Sequence, residues 1–166
     1  MLKIIPSTVL ILCVLFLSAC GYHLRGAIEL PSELKNVYVE GASAALQEQF
    51  KLALQSSSVQ VVNNRAEAGV VIVVSGEDSL KRSLSLGVGG RSNQYGLEYR
   101  LNYKVTDAKD VELIEPNSVE IRREYFNNQL DILAKDNEEI TIRNEMYQQA
   151  VRTMINQIRF NLKAKK

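Results

Sequence analysis

The chain has 166 residues, 46% of them hydrophobic, with 20 Lys and Arg set against 19 Asp and Glu. So even a balance leaves no electrostatic footprint for nucleic acid, and the length suits one domain with a substantial core. One histidine, His23, and two cysteines, Cys13 and Cys20, are too few for a His/Cys metal cluster or a Ser-His-Asp triad deep in a fold.

The N-terminus places Lys3 ahead of a nearly unbroken apolar run from Val9 to Leu17. That run has the length of an export signal and is short for a membrane-spanning helix. Leu17-Ser18-Ala19-Cys20 follows and resembles the lipobox of bacterial lipoproteins, in which small residues let a peptidase reach the backbone before an acylated cysteine. An ordinary signal peptide with an incidental cysteine is the alternative. The expectation is a signal over residues 1–19, with the Cys20 thiol carrying the lipid. Each buried methylene adds about 0.8 kcal/mol, so several acyl chains anchor stably where one does not. Gly21 stands where an aspartate would favour inner-membrane retention, and in this the chain resembles outer-membrane lipoproteins. Removing residues 1–19 leaves 147 residues with 19 bases and 19 acids, and Cys20 as the sole cysteine, so no internal disulfide is expected.

Residues 20–34 read as a tether, with Pro31 breaking regular structure, and residues 35–166 as one domain. Residues 36–40 alternate and predict a strand ended by Gly41. Ser43 predicts the cap of a helix to about Gln55, with Leu46, Phe50, Ala53 and Leu54 on one face. Residues 59–62 predict a short strand and Asn63-Asn64 a turn. The β-branched run 70–74 predicts a central strand buried on both faces, continuing irregularly past Gly76 to Leu86. Residues 95–107 alternate, with Leu97, Tyr99, Leu101, Tyr103 and Val105 on one side and Glu98, Arg100, Asn102 and Lys104 on the other. A turn region is expected over 107–118, around Pro116, and a strand over 119–126. Asp136-Asn137-Glu138-Glu139 has the form of a capping box. A helix is expected from about Asn137 to Leu162 with Ile140, Tyr147, Val151, Met154, Ile158 and Leu162 as its apolar stripe. Together these predict an α+β two-layer sandwich, two helices packed on one face of a four- to five-stranded, mostly antiparallel sheet. Ile72, Val74, Tyr103 and Val105 are expected in the core between the layers.

Gly87-Val88-Gly89-Gly90-Arg91-Ser92 lacks nucleotide-loop spacing and precedes a strand, so no helix N-terminus is offered to phosphate. A hairpin tip is the simpler reading. From Leu80 to Thr106 the bases are Lys81, Arg82, Arg91, Arg100 and Lys104, against Glu98 alone. They form either a solvated face or an anion site. After Glu145, the bases Arg152, Arg159, Lys163, Lys165 and Lys166 suit the negative end of the last helix. Asp131, Asp136 and Glu139 have no histidine or metal partner nearby in sequence. No acid/base pair, metal site or cofactor site is expected, and no enzyme.

Two segments carry a family resemblance. Cys20-Gly21-Tyr22-His23-Leu24-Arg25-Gly26 lies at the proposed lipidated end, and Leu133-Ala134-Lys135-Asp136-Asn137-Glu138-Glu139 runs on to Glu145-Met146-Tyr147. With the length and element order, they resemble the LptE family of lipopolysaccharide-assembly lipoproteins across essentially the whole mature chain. The resemblance implies an outer-membrane lipoprotein that plugs the β-barrel LptD, binds lipopolysaccharide, and assists lipid insertion and barrel assembly. It also implies that Arg91 and Lys135 bind the lipid, Lys135 by a gapless match and Arg91 across a Gly-rich stretch that departs from the family. Lys81 and Arg82 are secondary candidates. Arg91 and Lys135 are expected together at one end of the sheet. The alternative is an outer-membrane scaffold for envelope assembly that does not bind lipopolysaccharide.

Overall fold

The computed structural model describes residues 35–55, 57, 59–86, 92–126 and 132–164, with backbone alone at 86, 92–93 and 132–137. The signal, Cys20, the tether to residue 34, and the 87–91 tip with Arg91 lie outside the described residues. In chain order the elements are β1 (Asn36–Glu40), α1 (Ala44–Leu54), β2 (Gln60–Val61), a 3-10 turn (Arg65–Glu67), β3 (Val70–Leu86), β4 (Ser92–Thr106), β5 (Glu112–Phe126) and α2 (Ile132–Ala164).

β1 buries Val37 and Val39 and leaves the residues between them half-covered, as its alternation requires. Gly41 ends it with φ +77°, and a Cβ there would sit 2.4 Å from the Val74 carbonyl oxygen, so only glycine suits the turn. Ser43 caps α1 through its hydroxyl, which accepts from the Leu46 N–H at 3.3 Å. The helix carries the chain back to the end where β1 began, so β2 pairs with β1 in parallel, Asn36 opposite Gln60. The 3-10 turn returns it again, and β3 pairs in parallel with the other edge of β1, Val37 opposite Val70. From there β3, β4 and β5 form a long antiparallel meander. The five-stranded sheet has the order β2-β1-β3-β4-β5. It is mixed rather than wholly antiparallel, because both connections around β1 are crossovers.

Both helices lie on one face. Leu46, Phe50 and Leu54 of α1 and Met146, Ala150, Val151, Met154, Ile155 and Ile158 of α2 share one core with Ile72, Val74, Leu97, Tyr99, Leu101, Tyr103 and Val105. The alternation expected for β4 is present residue by residue, as is burial of Ile72, Val74, Tyr103 and Val105.

Three expectations are corrected. The turn after β4 is only residues 107–111, where the Asp107 carboxylate accepts from the N–H groups of Lys109 and Val111, both at 2.8 Å. β5 therefore starts at Glu112 and runs through Pro116, which is tolerated because β5 is an edge strand and the pairing with β4 is irregular there. α2 begins at Ile132, so Asp136 to Glu139 lies inside the helix and does not cap it, and Lys135 sits in the helix rather than in a loop before it. Ile140, expected in the apolar stripe, is 57% exposed. α1 has 11 residues and α2 has 33, so at ~1.5 Å per residue α1 covers only about a third of its partner.

Candidate functional site

The meander has a distal end, where Leu86 pairs with Ser92 and Gln94 with Phe126. α2 starts beside it, since Glu139 contacts both Lys81 of β3 and Tyr125 of β5. A bulge sets what each side of this end displays. Before it, Ile72 and Val74 face the helices, paired with Val105 and Tyr103. Pairing then breaks between Ser75 and Asp78, around Gly76 at φ +59°, and the parity of β3 inverts. Ser79, Lys81 and Ser83 now pair with Tyr99, Leu97 and Tyr95 on the helix side, and Asp78, Leu80 and Arg82 face the open side. The two secondary candidates, Lys81 and Arg82, are thus divided between opposite faces.

On the helix side the bulge aims Glu77 at the start of α1. One of its oxygens accepts from the Ser43 N–H at 2.8 Å, and the other from the Ser43 hydroxyl at 2.6 Å and the Tyr99 hydroxyl at 2.9 Å. Burial, then this carboxylate, pushes the Tyr99 hydroxyl far above its ordinary pKa. Burial also pushes Tyr103 up to about 12, and its hydroxyl donates to Gln157 of α2 at 2.7 Å.

Farther along, Glu139 is the hub of a second cluster. Its Oε2 accepts from Lys81 Nζ at 2.5 Å and from the Tyr125 hydroxyl at 2.7 Å. Its Oε1 accepts from Arg143 at 2.9 and 2.7 Å, and Arg143 also donates to the Ser79 hydroxyl. Lys81 Nζ lies 4.4 Å above the Tyr95 ring, which packs against Tyr125 at 5.7 Å. Burial alone would raise the Glu139 pKa, but the donors Lys81, Tyr125 and Arg143 outweigh it and hold the carboxyl at about 2. For Lys81, burial acts to lower the pKa, and the contacts with Glu139 and Tyr125 more than reverse it.

The open side carries charge ladders. Arg100 meets Asp78 at 3.0 Å across β4 and β3, Arg82 and Arg122 stand 3.9 and 3.8 Å from a recessed Glu98, and Arg122 also pairs with Glu120. The first three reach across strands and the last lies along β5; all are hydrated, so they contribute little to stability. Among the described residues, no three His, Cys, Asp or Glu side chains gather as metal ligands, and no helix is long and apolar enough to cross a membrane.

Of the four candidate cations, Lys81 is paired inward with Glu139 and Arg82 faces outward on the open side. Lys135 is in the first turn of α2, its side chain undescribed, and Arg91 lies outside the described residues. Sequence reading missed Glu77, Tyr125 and Arg143. Arg143 follows Glu139 by four places, a legible helical pair, but nothing in the sequence signals Lys81, 58 residues earlier.

Residues 34–158 match the family model described as LptE, lipopolysaccharide-assembly. The LPS-assembly lipoprotein LptE of Pectobacterium atrosepticum is 30% identical over 160 residues, covering 92% of this chain and 83% of the relative. The protein of the same name from Photorhabdus laumondii is 27% identical, covering 89% and 81%. The solution NMR structure of lipoprotein B from Nitrosomonas europaea matches with a TM-score of 0.68 at 26% identity, covering 84% of this chain and 90% of that one. The rare lipoprotein B of Shewanella oneidensis shares the fold, with a TM-score of 0.60 at 21% identity over 74% and 92% of the two chains. Sequence and architecture agree: the chain belongs to the LptE lipopolysaccharide-assembly family.

Proposed function

We propose that this protein is anchored to the outer membrane through an acylated Cys20, sits within the lumen of the LptD β-barrel, and binds lipopolysaccharide during its delivery to the outer leaflet. The role is non-catalytic. The relatives named LPS-assembly lipoprotein LptE support it. The observation that supports it is the approach of the start of α2 to the distal ends of β3 and β5. In sequence Arg91 falls between the paired residues Leu86 and Ser92, and Lys135 lies one turn before Glu139, which is held against β3 and β5. Two cations near these positions suit the phosphates of lipid A. Lys135 in a first helical turn is poorly placed for helix stability, next to the positive dipole end, which favours a use other than capping. The charged, helix-free sheet face suits the polar lumen of a large barrel.

Purification of the wild-type chain in mild detergent is expected to bring down a large barrel protein and lipopolysaccharide, with palmitate label on the wild type and none on Cys20→Ala. Label that survives in the variant removes the anchor assignment. Barrel without lipid, even after adding lipopolysaccharide, favours the scaffold role. The double substitution Arg91→Asp, Lys135→Asp is expected to weaken lipopolysaccharide binding at least about tenfold, with the circular dichroism spectrum unchanged. Wild-type affinity in the folded double variant ends the claim for these two residues.

A further inference from the structure

The open face of the sheet is polar along most of the meander, and at the distal end three apolar side chains stand exposed among its charges. Leu80 is 36% exposed, Leu84 47% and Phe126 74%. Strand pairing puts them on one side. Leu80 is opposite Glu98, Phe126 is opposite Gln94, and Leu84 lies over Gly96, where an added Cβ would meet its side chain at 3.2 Å. Gly96 therefore leaves a shallow floor between β3 and β5. Arg82 and Glu124 stand opposite Gly96 from either side, Glu124 accepting from the Gln94 amide at 3.0 Å, while Arg82 and Arg122 each lie near 4 Å from Glu98.

We propose that Leu80, Leu84 and Phe126 form a contact surface for a fatty acyl chain of the lipid bound at this end; this rests on the reading that the protein binds lipopolysaccharide. The size suits one chain and is too small for a separate protein partner beyond the barrel. Four residues along a strand and two strand spacings across give a patch of ~13 by ~10 Å. A stable protein interface needs about 800 Å² from each partner, several times that area. Position argues for it too. An amphiphile held by its phosphates needs an apolar surface within reach of those cations, and this patch lies at the distal end of the meander, where the chain runs on past Leu86 toward residue 91 and where α2, with Lys135, begins. Elsewhere on the open face of the meander, Arg100, Asn102, Lys104 and Glu120 offer an acyl chain nothing.

The test compares intact lipopolysaccharide with its deacylated form, which keeps the sugars and phosphates. The protein is residues 20–166 with Cys20→Ala, so that its own lipid does not compete. The chain has no tryptophan, so Phe126→Trp is a unique reporter. Its emission is expected to shift to the blue with intact lipid and stay unmoved with the deacylated form. Leu84→Gln with Phe126→Gln is expected to cut the preference for intact over deacylated lipid about tenfold, leaving deacylated binding unchanged. Both side chains are exposed, so the fold tolerates the change. A folded variant that keeps the wild-type preference, or that loses both ligands equally, overturns the acyl contact while lipopolysaccharide binding stands. A reporter that does not move as intact lipid binds also overturns it. A wild type that binds neither form removes the lipid reading itself, and the acyl contact with it.

Discussion

Phe50→Ala is expected to lower stability by about 3–5 kcal/mol, through the lost transfer energy of the ring and the cavity it leaves. Phe50 is fully buried on α1, in the same cluster as Leu46 and Leu54, and it joins the short helix to the sheet and α2. A domain of this size has roughly 5–15 kcal/mol in hand, so the change removes a large part of it. In thermal unfolding the midpoint is expected to fall by roughly 10–20 °C. Leu52→Ala on the same helix is the control. Leu52 is exposed, and its truncation is expected to stay within about 0.5 kcal/mol of wild type. Equal effects from the two substitutions would mean that α1 does not pack as described.

The parts of the fold legible in the sequence are those fixed by local pattern. β1 and β4 each have one buried and one wet face, and a period of two residues reports that without outside knowledge. The Ser43 cap was legible for the same reason, since a capping side chain bonds within its own first turn. What escaped was decided at long range. The parity of β3 inverts at a bulge whose pairing with β4 no local pattern reveals, and that inversion turns Lys81 inward and Arg82 outward. Pro116 reads as a strand breaker until the topology shows β5 to be an edge. Ile140 has the spacing of a core residue and is exposed, since the buried stripe of α2 begins only at Met146. Glu139 reads as a capping carboxylate, and the structure gives it three donors from β3, β5 and α2 instead. The family resemblance named the cations of interest, but not the acid that organises the ground beside them.

That acid carries the second large effect. Glu139→Gln is expected to cost about 1.5–3 kcal/mol at neutral pH, because Lys81 and Arg143 then share a neutral acceptor. The lower half of that range is the better guide, since the group is partly open to solvent. The dependence on pH identifies the cause. The carboxyl is held at about 2 in the folded chain, against an ordinary 4.5, so folding favours its ionised form. Its contribution is complete above about pH 5 and is lost as the pH falls from 4.5 toward 2. The stability gap between wild type and variant, from urea unfolding at pH 7, 5 and 3, is therefore expected to be constant at the first two and clearly smaller at the third. A gap that persists undiminished at pH 3 would assign the loss to packing rather than charge. The cluster also ties the N-terminal part of α2 to β3 and β5, one turn after Lys135. Faster amide exchange in the variant is accordingly expected in the first turns of α2, while residues 150–158, which pack in the main core, keep wild-type protection. Loosening confined to that end would make Glu139 the residue that holds the turn of α2 carrying Lys135 in place.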